Sequence, residues 1–116
     1  MQVKRIVANL PAADPQAAQA FYRDVFGLKL EMDHGWLQTF TADAHMTVQM
    51  SVASQGGSGT PVPAVSIEVD DLDEALARVR RARAAVEYGP VEEPWGVRRF
   101  FVRDPLGHLI NVLVHL

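Results

Sequence analysis

Ala64–Ala82, AVSIEVDDLDEALARVRRA, carries a strand, a helix start and a helix in nineteen residues. Val65, Ile67 and Val69 alternate with Ser66 and Glu68, the period-2 pattern of a strand with two unlike faces. Asp70-Asp71 then supplies carboxylate acceptors for the orphan N–H groups of a helix start, and Ala75, Leu76, Val79 and Ala82 recur at helical spacing. The same order stands earlier in Val7–Val25, VANLPAADPQAAQAFYRDV. Over Val3–Leu10, Ile6, Ala8 and Leu10 fall on one face of a strand, with Arg5, Val7 and Asn9 on the other. Asp14-Pro15 opens a helix, because proline at the first helical position gives up an N–H that has no partner anyway. Ala17, Ala18, Phe21, Val25 and Phe26 continue the helix until Gly27 stops it. Asp14 and Asp71 lie 57 residues apart, and so do Val7 and Ala64.

Outward from these two anchors the pattern is of short strands. Leu28–Met32, Trp36–Thr41 and Met46–Ala53 are separated by the turn-like Asp33-His34-Gly35 and Ala42-Asp43-Ala44. In the second half, Val86–Tyr88, Arg98–Val102 and Leu109–Val114 read as strands. Each half is therefore βαβββ. The predicted fold class is α+β, one domain over residues 1–116, with modules at about 1–53 and 63–116. The glycine- and serine-rich residues 54–62 join them, flexible by composition and too short to separate independent domains.

Composition narrows the function. A chain of 116 residues, 48% hydrophobic and 22% charged, is a folded domain and not a disordered tail. A formal net charge of −3 gives no basic footprint for nucleic acid or an anionic membrane, and no apolar run reaches the ~18–20 residues of a membrane span. With no cysteine there is no disulfide framework, thiolate nucleophile or cysteine-based zinc site. The N-terminal MQVKRIVANLPAAD lacks the apolar core of a signal peptide, and a cytoplasmic location is expected.

Two segments resemble the vicinal oxygen chelate superfamily, which includes glyoxalase I, bleomycin-resistance and fosfomycin-resistance proteins and extradiol dioxygenases. One is Asp14–Leu30, DPQAAQAFYRDVFGLKL, with Phe21-Tyr22 and Phe26-Gly27. The other, more specific, is Glu93–Asn111, EPWGVRRFFVRDPLGHLIN, whose Pro94-Trp95-Gly96, Arg103-Asp104-Pro105 and Gly107 are similar to the bleomycin-resistance branch. The resemblance spans essentially the whole chain. It implies that each βαβββ module forms a strongly curved sheet with its helix on the convex side, around a shared cleft. It also implies a homodimer. Metal-dependent members place one ligand on the first and one on the last strand of each module. Carried over, these positions are Val7, Gln49, Ala64 and Asn111. Two are hydrocarbon and two neutral amides, poor donors for a divalent transition metal, so neither a metal nor another cofactor is expected.

Period-2 alternation drafts the lining of that cleft. With Gln49 inward, folding at Ala42-Asp43-Ala44 so that Thr41 meets Met46 brings Trp36, Gln38 and Phe40 inward beside it. Folding at Asp104–Gly107 sets Asn111 opposite Phe100 and turns Arg98, Phe100, Leu109 and Leu113 inward. Ser66 and Glu68 share the inward face of their strand, Glu68 being read as a solvated carboxylate near a strand end. Trp36 and Trp95, beside Gly35 and Gly96, can cover a ligand, while Phe100 is also a core candidate. Arg98 and Arg99 suit an anion or aromatic contact, with plain surface as the bland alternative. None of His34, His45, His108 and His115 falls at metal-ligand spacing. The expected ligand-binding set is thus Trp36, Gln38, Phe40, Gln49, Ser66, Trp95, Arg98 and Asn111, suited to a small molecule: apolar area for burial, sparse polar groups for orientation. The expected function is metal-free sequestration of a small molecule. The alternative is a metal-dependent or general-base lyase, isomerase or dioxygenase, and a third reading is an interaction module whose cleft its own side chains fill.

Overall fold

The computed structural model describes residues 1–23, 27–42, 48–105 and 107–116, with residues 20, 21, 48 and 49 described by backbone alone. The βαβββ order occurs twice, an α+β architecture. The strands are β1 (Val3–Pro11), β2 (Lys29–Asp33), β3 (Leu37–Ala42), β4 (Val48–Ala53), β5 (Val65–Val69), β6 (Ala85–Glu93), β7 (Val97–Arg103) and β8 (Leu109–His115). The helices are α1 (Gln19–Tyr22), entered through a 3-10 turn at Pro15–Ala18, and α2 (Leu72–Arg81). The chain divides into residues 7–62, the first unit, and residues 1–6 with 63–116, the second. The first six residues therefore group with the second half of the chain.

In the first unit the strand order is β2-β3-β4-β1, with β1 and β4 parallel and the other neighbours antiparallel. Pro15 is buried at the helix entry, but Asp14 makes no side-chain cap. The expected helix is described as far as Tyr22; its continuation through Val25 and Phe26 lies outside the described residues. Gly27 takes the left-handed conformation, φ +69°, and donates its N–H to the Arg23 carbonyl at 2.9 Å.

The second unit orders its strands β5-β8-β7-β6, with β5 and β8 parallel. Asp71 caps α2 by accepting from the Glu74 N–H at 2.9 Å, acidic Asp73 and Glu74 fill the first turn, and Arg78, Arg80 and Arg81 the last. One stripe of α2, Leu72, Ala75 and Leu76, buries itself against Phe100, Val102 and Val112 of the sheet. Burial of each large side chain is worth about 1.5–3 kcal/mol. β6 runs well beyond the expected Val86–Tyr88, because its register shifts on both sides of Tyr88 carry it past Gly89 and Pro90. Gly89 is required there: its φ is +74°, and a Cβ would stand 2.5 Å from the Arg99 carbonyl.

The joining segment is a hydrogen-bonded loop, with Gly56 N–H on the Thr60 carbonyl at 2.7 Å and Gly59 N–H on Gln55 Oε1 at 2.9 Å. Among the described residues, no helix is long and apolar enough to cross a membrane.

Candidate functional site

In the second unit, register decides which side chains share the sheet face opposite α2. Ser66 pairs with Asn111, Asn111 with Phe101, and Phe101 with Tyr88, giving a lateral row of hydroxyl, amide and two aromatic rings. The Asn111 side chain donates from Nδ2 to Ser66 Oγ at 3.1 Å. Asn111 is buried, and its Oδ1 has no partner among the described residues. The Tyr88 and Phe101 rings lie 5.2 Å apart at 55°.

One step along the sheet, Glu68, Leu113 and Arg99 form the next row. Arg99 is 3% exposed. Its guanidinium lies 4.7 Å from the Phe101 ring centre, 4.9 Å from Trp95 and 5.4 Å from Tyr88. Nη2 donates to Glu93 Oε2 at 2.8 Å, and Tyr88 donates to Glu93 Oε1 at 2.8 Å. A buried charge is tolerable only with such compensation, here one carboxylate and three ring faces.

Glu68 is buried too, not the solvated carboxylate expected from its place near a strand end. Arg5 Nε donates to Oε1, and His115 Nδ1 meets Oε2 at 2.9 Å. Burial acts to raise the Glu68 pKa, but the hydrogen bonds and charges of Arg5 and His115 outweigh it and hold the carboxyl below its ordinary value.

In the first unit, the face opposite α1 is polar and rich in hydroxyls. Asn9, Ser51 and Thr39 stand side by side, with Thr39 Oγ1 and Ser51 Oγ at 2.8 Å, and Thr41 Oγ1 donates to Glu31 at 3.2 Å. Gln38 and Phe40 are not on it. Gln38 pairs with Val52 and Phe40 with Met50, on the helix-side face, where the Phe40 ring lies 5.9 Å from Tyr22. Both are fully buried, and Gln38 has no partner for either amide atom among the described residues.

The expected inward set is corrected accordingly. Gln38, Phe40, Arg98 and Phe100 belong to the helix-side faces, Arg98 reaching Asp73 of α2 at 3.0 Å. Arg99 and Phe101 take the places given to Arg98 and Phe100, since Asn111 pairs with Phe101. Thr39 and Thr41 replace Gln38 and Phe40. Trp36 precedes β3 and stacks on His34, centroids 5.7 Å apart. Trp95 joins the Arg99 cluster, and Ser66 and Asn111 meet each other. The Gln49 backbone pairs with Thr41, while its side chain lies outside the described residues. Glu93, Tyr88, Arg5 and His115 also belong to these clusters and carry no motif in the sequence, because a charge is visible there but its partner is not.

Residues 3–112 match the model of the glyoxalase/bleomycin resistance protein/dioxygenase superfamily, and the chain belongs to that family. A superfamily member from Vibrio splendidus 12B01 is 21% identical, with a TM-score of 0.66 over 97% of this chain and 99% of the other. Methylmalonyl-CoA epimerase from Mycobacterium tuberculosis is 18% identical, with a TM-score of 0.67 over 98% and 89%. A Legionella pneumophila structure described as an NAD-dependent benzaldehyde dehydrogenase is 12% identical, with a TM-score of 0.77 over 97% and 100%. Likeness at these identities shows the fold alone. No functionally curated protein matches the chain.

The family's metal-ligand positions do not fit a metal in this chain. Val7 is buried hydrocarbon, Ala64 offers no donor, Gln49 is a neutral amide, and Asn111 has its amide nitrogen on Ser66. Among the described residues, no three of His, Cys, Asp and Glu gather.

Proposed function

We propose that this protein binds a small organic molecule without a resident metal and sequesters it, in the manner of the bleomycin-resistance type. The observation that carries this reading is Asn111, buried in a row with Phe101 and Tyr88 and with no partner for its Oδ1 among the described residues. A buried acceptor without a donor costs about 1–3 kcal/mol, which a ligand N–H or O–H offsets. Ser66, Tyr88 and Trp95 are only half-buried and offer the approach. A planar molecule with a hydrogen-bond donor fits these contacts.

The test is a thermal-shift screen of aromatic amides, phenols and heterocycles. A true ligand at about 100 times its Kd stabilises the folded protein by roughly 2.7 kcal/mol, and Asn111→Leu should abolish that shift. Elemental analysis should find no stoichiometric transition metal; about one zinc, nickel, manganese or iron per chain, lost with stability on chelation, refutes the metal-free reading.

A second reading has its own support: Phe101 and Arg99 are 1% and 3% exposed, as in a face packed by the protein itself. A screen without hits, with Asn111→Leu raising stability, would favour it. We propose also that the chain is a homodimer, since Ile6 is 62% and Val3 47% exposed on β1, large apolar side chains suited to a partner. Light scattering at micromolar concentration should then give twice 12.8 kDa.

A further inference from the structure

The Glu68 cluster is more than a latch between strands. Its carboxylate is buried and ionised, with Arg5 on one oxygen and His115 on the other, yet the His115 side chain is 43% exposed. An ionised carboxylate can only accept, so the His115 Nδ1 must carry the hydrogen, and the lone pair of the neutral ring sits on Nε2. Among the described residues, nothing engages Nε2. A carboxylate that orients an imidazole and compensates the imidazolium formed on protonation is the arrangement of a general base. His108 and Asp104 form a contrasting pair at 3.1 Å: four residues apart in a turn, its imidazole is 57% and its carboxylate 28% exposed, against 10% for Glu68.

The surroundings also indicate what such a base would act on. Lys4 Nζ lies 3.7 Å from Glu68 Oε2, the oxygen that His115 also meets, and its side chain is 56% exposed, an ammonium beside the imidazole. The local field favours an anion.

We propose that His115, positioned by Glu68, is a metal-free proton-transfer site for small anionic molecules, in which Nε2 takes a proton from a substrate hydroxyl, an acidic C–H or an attacking water. The proton ends on Nε2, the electron pair stays on the atom that lost it, and Glu68 remains ionised. This goes beyond sequestration and rests on residues other than Asn111, Phe101 and Tyr88, so either reading can fail alone.

The probes are 4-nitrophenyl acetate and the anionic mono-4-nitrophenyl succinate. With His115 as the base, water gives its proton to Nε2, the hydroxide attacks the acyl carbon, and 4-nitrophenolate leaves. Wild type should hydrolyse the succinate ester at least about tenfold faster than His115→Gln, with a normal solvent deuterium isotope effect. Glu68→Gln should lose most of that rate, and Lys4→Gln should lose the preference for succinate over acetate. His108→Gln should change nothing. In 15N spectra of wild type, the neutral His115 ring should carry its hydrogen on Nδ1, and Glu68→Gln should shift that tautomer balance. Rates for His115→Gln equal to wild type, or a neutral His115 ring protonated on Nε2, overturn the proposal. Should Glu68→Gln fail to fold, these two measurements still decide it.

Discussion

The two repeats share a topology and differ in what they bury. The second unit packs a capped ten-residue helix on Phe100, Val102 and Val112 and reserves the opposite face for charge: Arg99 with Glu93, Glu68 with Arg5 and His115. The first unit enters α1 without a side-chain cap, buries Gln38 on the helix side with no amide partner among the described residues, and lines the other face with hydroxyls and an amide. One backbone plan thus supports an aromatic face with buried ion pairs in one copy and a hydroxyl-rich polar face in the other, so chemistry resides in the side chains each strand presents and not in the fold.

The sharpest test of that contrast is Glu93→Ala. It leaves the Arg99 guanidinium buried without its carboxylate and should cost about 3–5 kcal/mol in urea unfolding. A loss below about 1 kcal/mol, the range of surface ion pairs, would mean the pair is solvated and the two faces are less different than described.

Gln38→Met tests the opposite unit with the opposite sign. It removes two buried amide atoms that have no partner among the described residues, at similar volume, and should raise stability by about 1–3 kcal/mol. Destabilisation would show that the amide has partners in solution.

The caps are compared next. Asp71→Ala removes an acceptor from the Glu74 N–H and should cost about 1 kcal/mol, whereas Asp14→Ala should cost only a few tenths, having no cap bond to lose. Equal costs in thermal melts would erase this difference between the helices.

The smallest effect is electrostatic. Because the folded Glu68 pKa lies below its ordinary 4.5, its contribution is complete above that pH and is lost as pH falls through the lower folded value. Glu68→Gln should therefore flatten the stability profile below about pH 4.5. An acid limb identical to wild type would contradict the depressed pKa.

The features legible without the fold are local ones. The alternation of Val65, Ile67 and Val69, the carboxylate of Asp71 before a helical stripe, and the 57-residue repeat made the strands, the second helix and the duplication legible, because each depends on neighbours within a few residues. Pairing was a tertiary decision. Thr41 meets Gln49 and not Met46, three residues further on, and Arg103 pairs with Leu109 around a connection in which Asp104 and His108 bond at 2.9 Å and Gly107 sits at φ +88°. Each differs from the folding read in sequence by an odd number of residues, and with a side-chain period of two an odd shift exchanges the faces of one strand against its neighbour. Gln38, Phe40, Arg98 and Phe100 were misplaced for that reason alone. The burial of Arg99 and Glu68 was likewise invisible, because a charged residue enters a core only where its counter-charge waits. Arg5 and His115 reach Glu68 from 63 and 47 residues away in the chain, and only the folded sheet brings them within hydrogen-bonding distance.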